Sequence, residues 1–222
     1  MDQQRWTEVD RYIDGAVVGS DPALDAALQD VADAGMPAIS VTPALGKLLH
    51  VLARTIGARR ILEVGTLGGY STIWMARAVP VGGRVVSLEI DPRNAAVAAT
   101  SIERAGVSDR VEIRVGRAVD TLTALAADGV EPFDLVFVDA DKRSNPEYLA
   151  WALRLTHVGS VIVVDNVVRG GAVVDAETTD PDIQGIRRMN EMIAAEPRLL
   201  TTAIQTVGSK GYDGFAIALV IA

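Results

Sequence analysis

The 222-residue sequence has no cysteine. Disulfides, zinc–thiolate sites, iron–sulfur clusters and cysteine nucleophiles are therefore excluded. The absence also fits a reducing, cytoplasmic setting, which is the location expected. Histidine is scarce: His50 and His157 stand far apart, so a histidine-rich metal site is not expected and a hard cation would need oxygen ligands. Aromatic residues make up only 5% of the chain. Basic charge is in deficit, with 21 Lys and Arg against 29 Asp and Glu and a net charge of −8. Recognition of a phosphate backbone needs clustered Lys and Arg. Only the pairs Arg59-Arg60 and Arg187-Arg188 occur, so no nucleic-acid partner is expected. No apolar run reaches the roughly 18 residues of a bilayer span, so no membrane partner is expected. The opening MDQQRWTEVDRYIDG carries no apolar signal core.

Hydrophobic residues supply 49% of the chain, enough for one α/β domain over 1–222 with a sizeable core. Residues 1–56 read as helical. Trp6, Val9, Tyr12 and Ile13 recur at helical spacing, as do Leu24, Leu28, Val31 and Ala34 behind the cap-like Asp21-Pro22. A third helix is predicted over 42–56. From residue 60 short apolar strands alternate with helices. Strands are predicted at 61–64, 84–89, 111–115, 135–139 and 161–165, with helices near 71–79, 91–105, 118–127, 145–155 and 179–196. Such alternation points to a doubly wound parallel sheet covered on both faces. Two last strands, at about 199–206 and 214–221, lack a helical crossover and should pair antiparallel. His157 is expected in a loop, and Trp74 and Met75 should pack a helix onto the sheet.

The segment ILEVGTLGGYST (61–72) is a buried strand, a glycine turn and a helix start. In doubly wound folds such a turn is where nucleotide-like ligands sit. Glycine lets backbone approach the ligand, and the helix start offers free N–H groups. The spacing is Gly65-x-x-Gly68-Gly69 rather than G-x-G-x-x-G, and the strand carries an acid, Glu63. A carboxylate there suits a cationic amino-acid ligand better than a pyrophosphate. Glu89 closes the next strand, 24 residues after Gly65, near the offset of ribose-binding acids.

These residues resemble the class I S-adenosylmethionine-dependent methyltransferases. More narrowly, the chain is similar to the cation-dependent O-methyltransferase family that includes catechol and caffeoyl-CoA O-methyltransferases. The resemblance rests on EVGTLGGYS, Glu89, Gly116-Arg117-Ala118, VDADK (138–142), VVDN (163–166) and YDGFAIA (212–218). It implies a Rossmann-like seven-stranded sheet of order 3-2-1-4-5-7-6 with the last strand antiparallel. Residues 1–56 would form a helical cap over the core at 57–222. It implies further that Glu63, Gly65, Thr66 and Ser71 hold the amino-acid end of S-adenosylmethionine, with Val41 packed nearby. Glu89 would bind the ribose, Gly116 and Ala118 would border the adenine, and Asp139 and Asp141 would also approach the cofactor. Asp139, Asp165 and Asn166 would bind the metal, and Lys142, with Asp139, would be catalytic as general base. A homodimer is expected on the same ground.

Two carboxylates and an amide oxygen make a hard, partly filled site suited to Mg²⁺, with Mn²⁺ or Ca²⁺ as substitutes. The open positions would take the oxygens of a small hydroxylated, catechol-like or phenolic acceptor. A metal lowers the pKa of a hydroxyl and fixes its direction for in-line methyl transfer. A nicotinamide-dependent oxidoreductase is the alternative enzyme, and a non-catalytic module that binds S-adenosylmethionine the alternative binder. The chain departs from its relatives at Asn145, where many carry tyrosine, and at Arg169-Gly170-Gly171, where many carry an aromatic. Val158-Gly159-Ser160 replaces the usual proline-glycine-glycine turn. Asn145 is expected to alter the acceptor wall and the 169–171 stretch the loop above it. With so few aromatics in the chain, little else is expected to clamp a ring.

Overall fold

The structure, a computed structural model, describes residues 2–222. Among them eight α-helices and seven strands follow one another: α1 (Gln3–Ile13), α2 (Pro22–Asp33), α3 (Pro43–Thr55), β1 (Arg60–Val64), α4 (Tyr70–Ala78), β2 (Arg84–Glu89), α5 (Pro92–Arg104), β3 (Val111–Val115), α6 (Ala118–Ala127), β4 (Phe133–Val138), α7 (Asn145–Leu155), β5 (Thr156–Asp165), α8 (Pro181–Ala195), β6 (Leu199–Gly208) and β7 (Gly211–Val220). The strand order is 3-2-1-4-5-7-6. β1 to β5 run parallel, while β7 is antiparallel to both β5 and β6. None of the described helices is long and apolar enough to cross a membrane.

Local chemistry starts the helices where the sequence suggests. Asp21, Thr42, Asp91 and Asp180 each cap a helix whose first turn holds proline. Their side-chain oxygens take the first free amides, and proline has no amide to leave unpaired. The central strands are mostly apolar because they bury both faces. Ile61, Val85, Leu135, Phe137 and Val163 enter the core that also holds Leu49, Ile73 and Trp74. Their alternates Leu62, Val86, Val136, Val138 and Val164 enter the opposite core with Leu122, Leu149 and Ile186.

Three elements differ from the sequence pattern. The apolar residues of α1 reach no core: none is buried, and Tyr12 is 73% exposed. That helix lies on β6 instead. β6 and β7 extend farther than their apolar stretches, because backbone pairing continues to Gly208–Gly211 and needs no buried side chains there. His157 lies in β5 rather than in a loop.

His157 is part of a polar staple where β1, β4 and β5 begin. Its Nε2 meets the Asp134 carboxylate at 2.9 Å and its Nδ1 the Val158 carbonyl at 2.8 Å. The second Asp134 oxygen accepts the Arg59 and Arg60 amides, both at 2.8 Å. The Val158 carbonyl and then Asp134 raise the imidazole pKa above its ordinary value. A raised histidine pKa stabilises the fold below the ordinary value, and that gain fades as pH rises through the folded value. His157→Gln should therefore lose up to ~1 kcal/mol near about pH 5.5, with the gap closing by about pH 9, since the pair is half exposed. Thermal unfolding at both pH values tests this; an equal loss at both would refute it.

Candidate active site

The carboxyl ends of β1, β2, β4 and β5 open on one edge, where a crevice is expected in a doubly wound sheet. A cavity of about 1230 Å³ lies there. β1 leads into Gly65, whose φ is +107°, and a Cβ at that position would overlap the Asp139 carbonyl oxygen. Glycine thus brings the β1 turn into backbone contact with the end of β4. Gly69, at φ +82°, precedes α4 and offers no capping side chain, so the first amides of that helix have no side-chain partner. Val41, Gly65, Thr66 and Ser71 all line this end of the cavity.

Glu63 does not line it. The side chain is fully buried beneath the turn, where Ser71 and Thr72 donate to it at 2.5 Å and Ser87 at 2.6 Å. Burial raises its pKa to about 7, although the three hydroxyls pull the other way. Its contact with the cavity is through Ser71. Glu89 does face the cavity, and its oxygens accept the Leu67 amide at 2.8 Å and the Asp91 amide at 2.9 Å. The first of these bonds holds Leu67 at a left-handed φ of +49°. Gly116 and Ala118 line the wall beyond Glu89.

Asp139, Asp141, Lys142, Asp165 and Asn166 also line the cavity. Lys142 is buried and donates to Asp139 at 2.7 Å. Asp141 is occupied by Ser144 and Tyr148, each donating at 2.5 Å. Burial raises its pKa, but these bonds outweigh that and leave it below the ordinary value. Asp165 is raised, by burial first and then by the neighbouring Asp139 charge, with Lys142 opposing. Asn166 sits at φ +60°, a conformation asparagine tolerates. Its amide nitrogen donates to Asp213 at 3.3 Å, and its amide oxygen takes no hydrogen bond from the described residues.

This donor set fits a hard divalent cation. Two close carboxylates face a single lysine, so one negative charge is left over in a largely buried place. The free oxygen of Asn166 has the right chemistry to join them. Among the described residues no group of three or more His, Cys, Asp or Glu side chains is arranged for a metal. A cation would therefore rest on Asp139, Asp165 and Asn166, with its remaining positions open.

The sequence matches the O-methyltransferase family over residues 18–219. The chain belongs to the S-adenosylmethionine-dependent O-methyltransferase family. It is similar to a catechol O-methyltransferase of Niastella koreensis, 51% identical over 99% of this chain and 100% of that one. A catechol O-methyltransferase of Mycobacterium tuberculosis is 54% identical over 99% of both. The crystal structure of an O-methyltransferase from Bacillus cereus in complex with SAH superposes with a TM-score of 0.97 at 52% identity, covering 99% of this chain and 100% of that one. The nicotinamide-dependent alternative is thereby set aside.

The methyltransferase also uses residues that the motifs did not single out. Asp213 holds the segment after β5: one oxygen accepts the Val168, Arg169 and Gly214 amides, at 3.1, 2.9 and 3.0 Å, while the other orients Asn166. The acid inside YDGFAIA was the available signal. Asn145 does not line the cavity, contrary to expectation. It is buried with both side-chain polar atoms unpaired, and Tyr148, farther along α7, reaches the cavity instead. Tyr70, Tyr148 and Phe215 supply aromatic wall despite the low aromatic content. Arg169 does line the cavity, at a left-handed φ of +53°.

Proposed function

We propose that the cavity takes S-adenosylmethionine along the β1 turn and Glu89, and passes its methyl group to a hydroxyl of a small aromatic diol held beside Asp139, Asp165 and Asn166 with Mg²⁺. One observation carries this reading: the glycine turn and the paired strand-end acids share one cavity, joined by the close approach of Gly65 to Asp139. The names of the two catechol O-methyltransferase relatives support the acceptor class. A cation bound at the three oxygen donors would polarise the acceptor hydroxyl and fix its direction.

The chain's own residues do the rest. Glu89 retains lone pairs for the ribose hydroxyls after accepting two amides. Ser71, steered by Glu63, faces the amino-acid end of the donor. Lys142, whose Nζ Asp139 holds in place, is the residue positioned to take up the proton of the acceptor hydroxyl. As the new carbon–oxygen bond forms, the carbon–sulfur bond breaks and its electrons neutralise the sulfonium. Tyr148 and Phe215 help exclude water from the acceptor ring.

Calorimetry with S-adenosylmethionine and turnover of 1,2-dihydroxybenzene test the reading. Turnover should vanish in EDTA and return with Mg²⁺. Turnover that ignores EDTA would sink the metal role. Tight donor binding with no transfer to a range of diphenols would sink the acceptor.

Donor binding should also be linked to pH through Glu63. Its carboxyl keeps a proton between the ordinary 4.5 and about 7, so the folded chain holds more protons there than the unfolded chain. Stability without ligand should fall as pH rises through that window. A cationic donor favours the carboxylate, so binding near about pH 6.5 should release a proton. The calorimetric enthalpy should then vary with the ionisation enthalpy of the buffer, and Glu63→Gln should remove that variation. No buffer dependence in the wild type would contradict the assignment.

A further inference from the structure

The tip of the β6–β7 hairpin reaches the cavity. Gly208 pairs with Gly211, so Ser209 and Lys210 alone make the turn. α1 clasps this tip from the other end of the chain. Asp10 accepts the Ser209 amide at 2.6 Å, and the Gln3 side chain donates to the Gly208 carbonyl at 2.8 Å and the Ser209 carbonyl at 3.2 Å. A Cβ on Gly208 would press on the Asp10 carboxylate, so glycine is what allows the clasp to close. The result is a lysine held at the cavity wall by a fixed backbone.

Lys210 has no carboxylate within 4.0 Å among the described residues, although Asp139 and Asp165 are near enough to attract it. The residue is exposed overall, yet partial burial of its ammonium outweighs that attraction and lowers its pKa. Lys142, by contrast, is paired with Asp139. Arg169 also lines the cavity and forms no ion pair with the described residues, and its backbone is fixed by Asp213. Two cations that form no ion pair with the described residues thus line one cavity, on the two segments that flank Asp165 and Asn166.

We propose that Lys210 and Arg169 form a subsite for a carboxylate on the methyl acceptor, so that dihydroxylated aromatic acids are favoured over neutral or cationic diphenols. The inference rests on the methyl-transfer reading and adds the substituent. A diol seated at Asp165 and Asn166 presents its remaining ring edge to the rest of the cavity, where a carboxylate would complete the two cations. Lysine contributes a point charge and arginine a planar fork, both suited to carboxylate.

The test is binding of 3,4-dihydroxybenzoate, its methyl ester and 4-(2-aminoethyl)catechol to the protein loaded with S-adenosylhomocysteine and Mg²⁺. Calorimetry should find the acid about tenfold tighter than the ester, the range of a partly exposed charge-assisted contact. Lys210→Gln should bring the two near parity, and Lys210→Glu should shift the preference to the amine. Each variant's affinity for S-adenosylhomocysteine reports whether it is folded. In the wild type, raising NaCl from about 0.05 to about 0.5 M should weaken the acid several-fold and the ester little. Equal affinity for acid and ester, or an acid affinity indifferent to salt, would overturn the subsite, even if the variants misfold. The same ligands in a turnover assay separate the two ideas. Transfer to all three without discrimination would remove the subsite and keep the reaction. A Lys210-dependent preference in binding with no transfer would keep the subsite and remove the reaction.

Discussion

Gly65→Ala should lose about two orders of magnitude in affinity for S-adenosylmethionine and several degrees of thermal stability. Two penalties coincide at this residue. A φ of +107° is open to glycine and strained for any residue with a Cβ. The added methyl would also overlap the Asp139 carbonyl, which is backbone and cannot rotate aside. Overpacking of this kind costs ~1–3 kcal/mol, with a similar amount from the backbone strain. Relief would come from separating the ends of β1 and β4. That moves the donor turn and the residue bearing the first acid together, so binding and chemistry should fail in one step. A loss near ~3 kcal/mol in binding corresponds to about a hundredfold. Calorimetry with S-adenosylhomocysteine measures it, and an affinity within threefold of wild type would disprove the role given to the turn. Gly170→Ala makes a useful control. Its φ is also positive, at +64°, but nothing stands within 4 Å of its added Cβ, so strain alone operates there.

Asp165→Asn should lower kcat by about a thousandfold while leaving donor affinity within a few-fold, a loss typical of an electrostatic element that acts on the reacting oxygen. The substitution preserves shape, so the Asn166 amide, which donates to Asp165 at 2.8 Å, still finds an oxygen. It removes one of two close carboxylates that share a single lysine. In EDTA the variant should therefore melt a few degrees above the wild type, because a poorly compensated buried charge has gone. With Mg²⁺ present the order should reverse, since only the wild type then gains from binding the cation. Paired melting curves with and without Mg²⁺ read this independently of turnover. Loss of activity without any change in the Mg²⁺ response would remove Asp165 from the metal site.

Much of the architecture could be read from neighbours along the chain. A cap-like aspartate followed by proline at Asp21-Pro22 marked a helix start, and short apolar runs marked the inner strands. Parallel strands that end in acids must deliver those acids to one edge, so the sequence alone pairs Asp139 with Asp165. Glu63 was harder. Its place in the strand suggested contact with a ligand, but register sets Ser87 of β2 opposite it, and that hydroxyl together with Ser71 and Thr72 draws the carboxylate beneath the turn. For Asn145 the direction of the side chain from its helix decided the outcome, and it led into the interior rather than to the cavity.

The sequence by itself determined the fold class, the donor turn and the acids at the strand ends, because these depend on periodicity, capping and backbone freedom over a few residues. Only the tertiary structure decided how Asp213 orients Asn166, how Tyr148 and Phe215 come to face the cavity, and how α1 holds Lys210 at its wall. The last contact joins Asp10 to Ser209, 199 positions apart. Pairings of that kind carry no local signature: they follow from strand register and from which surfaces meet once the sheet has formed, and no window along the chain contains both partners.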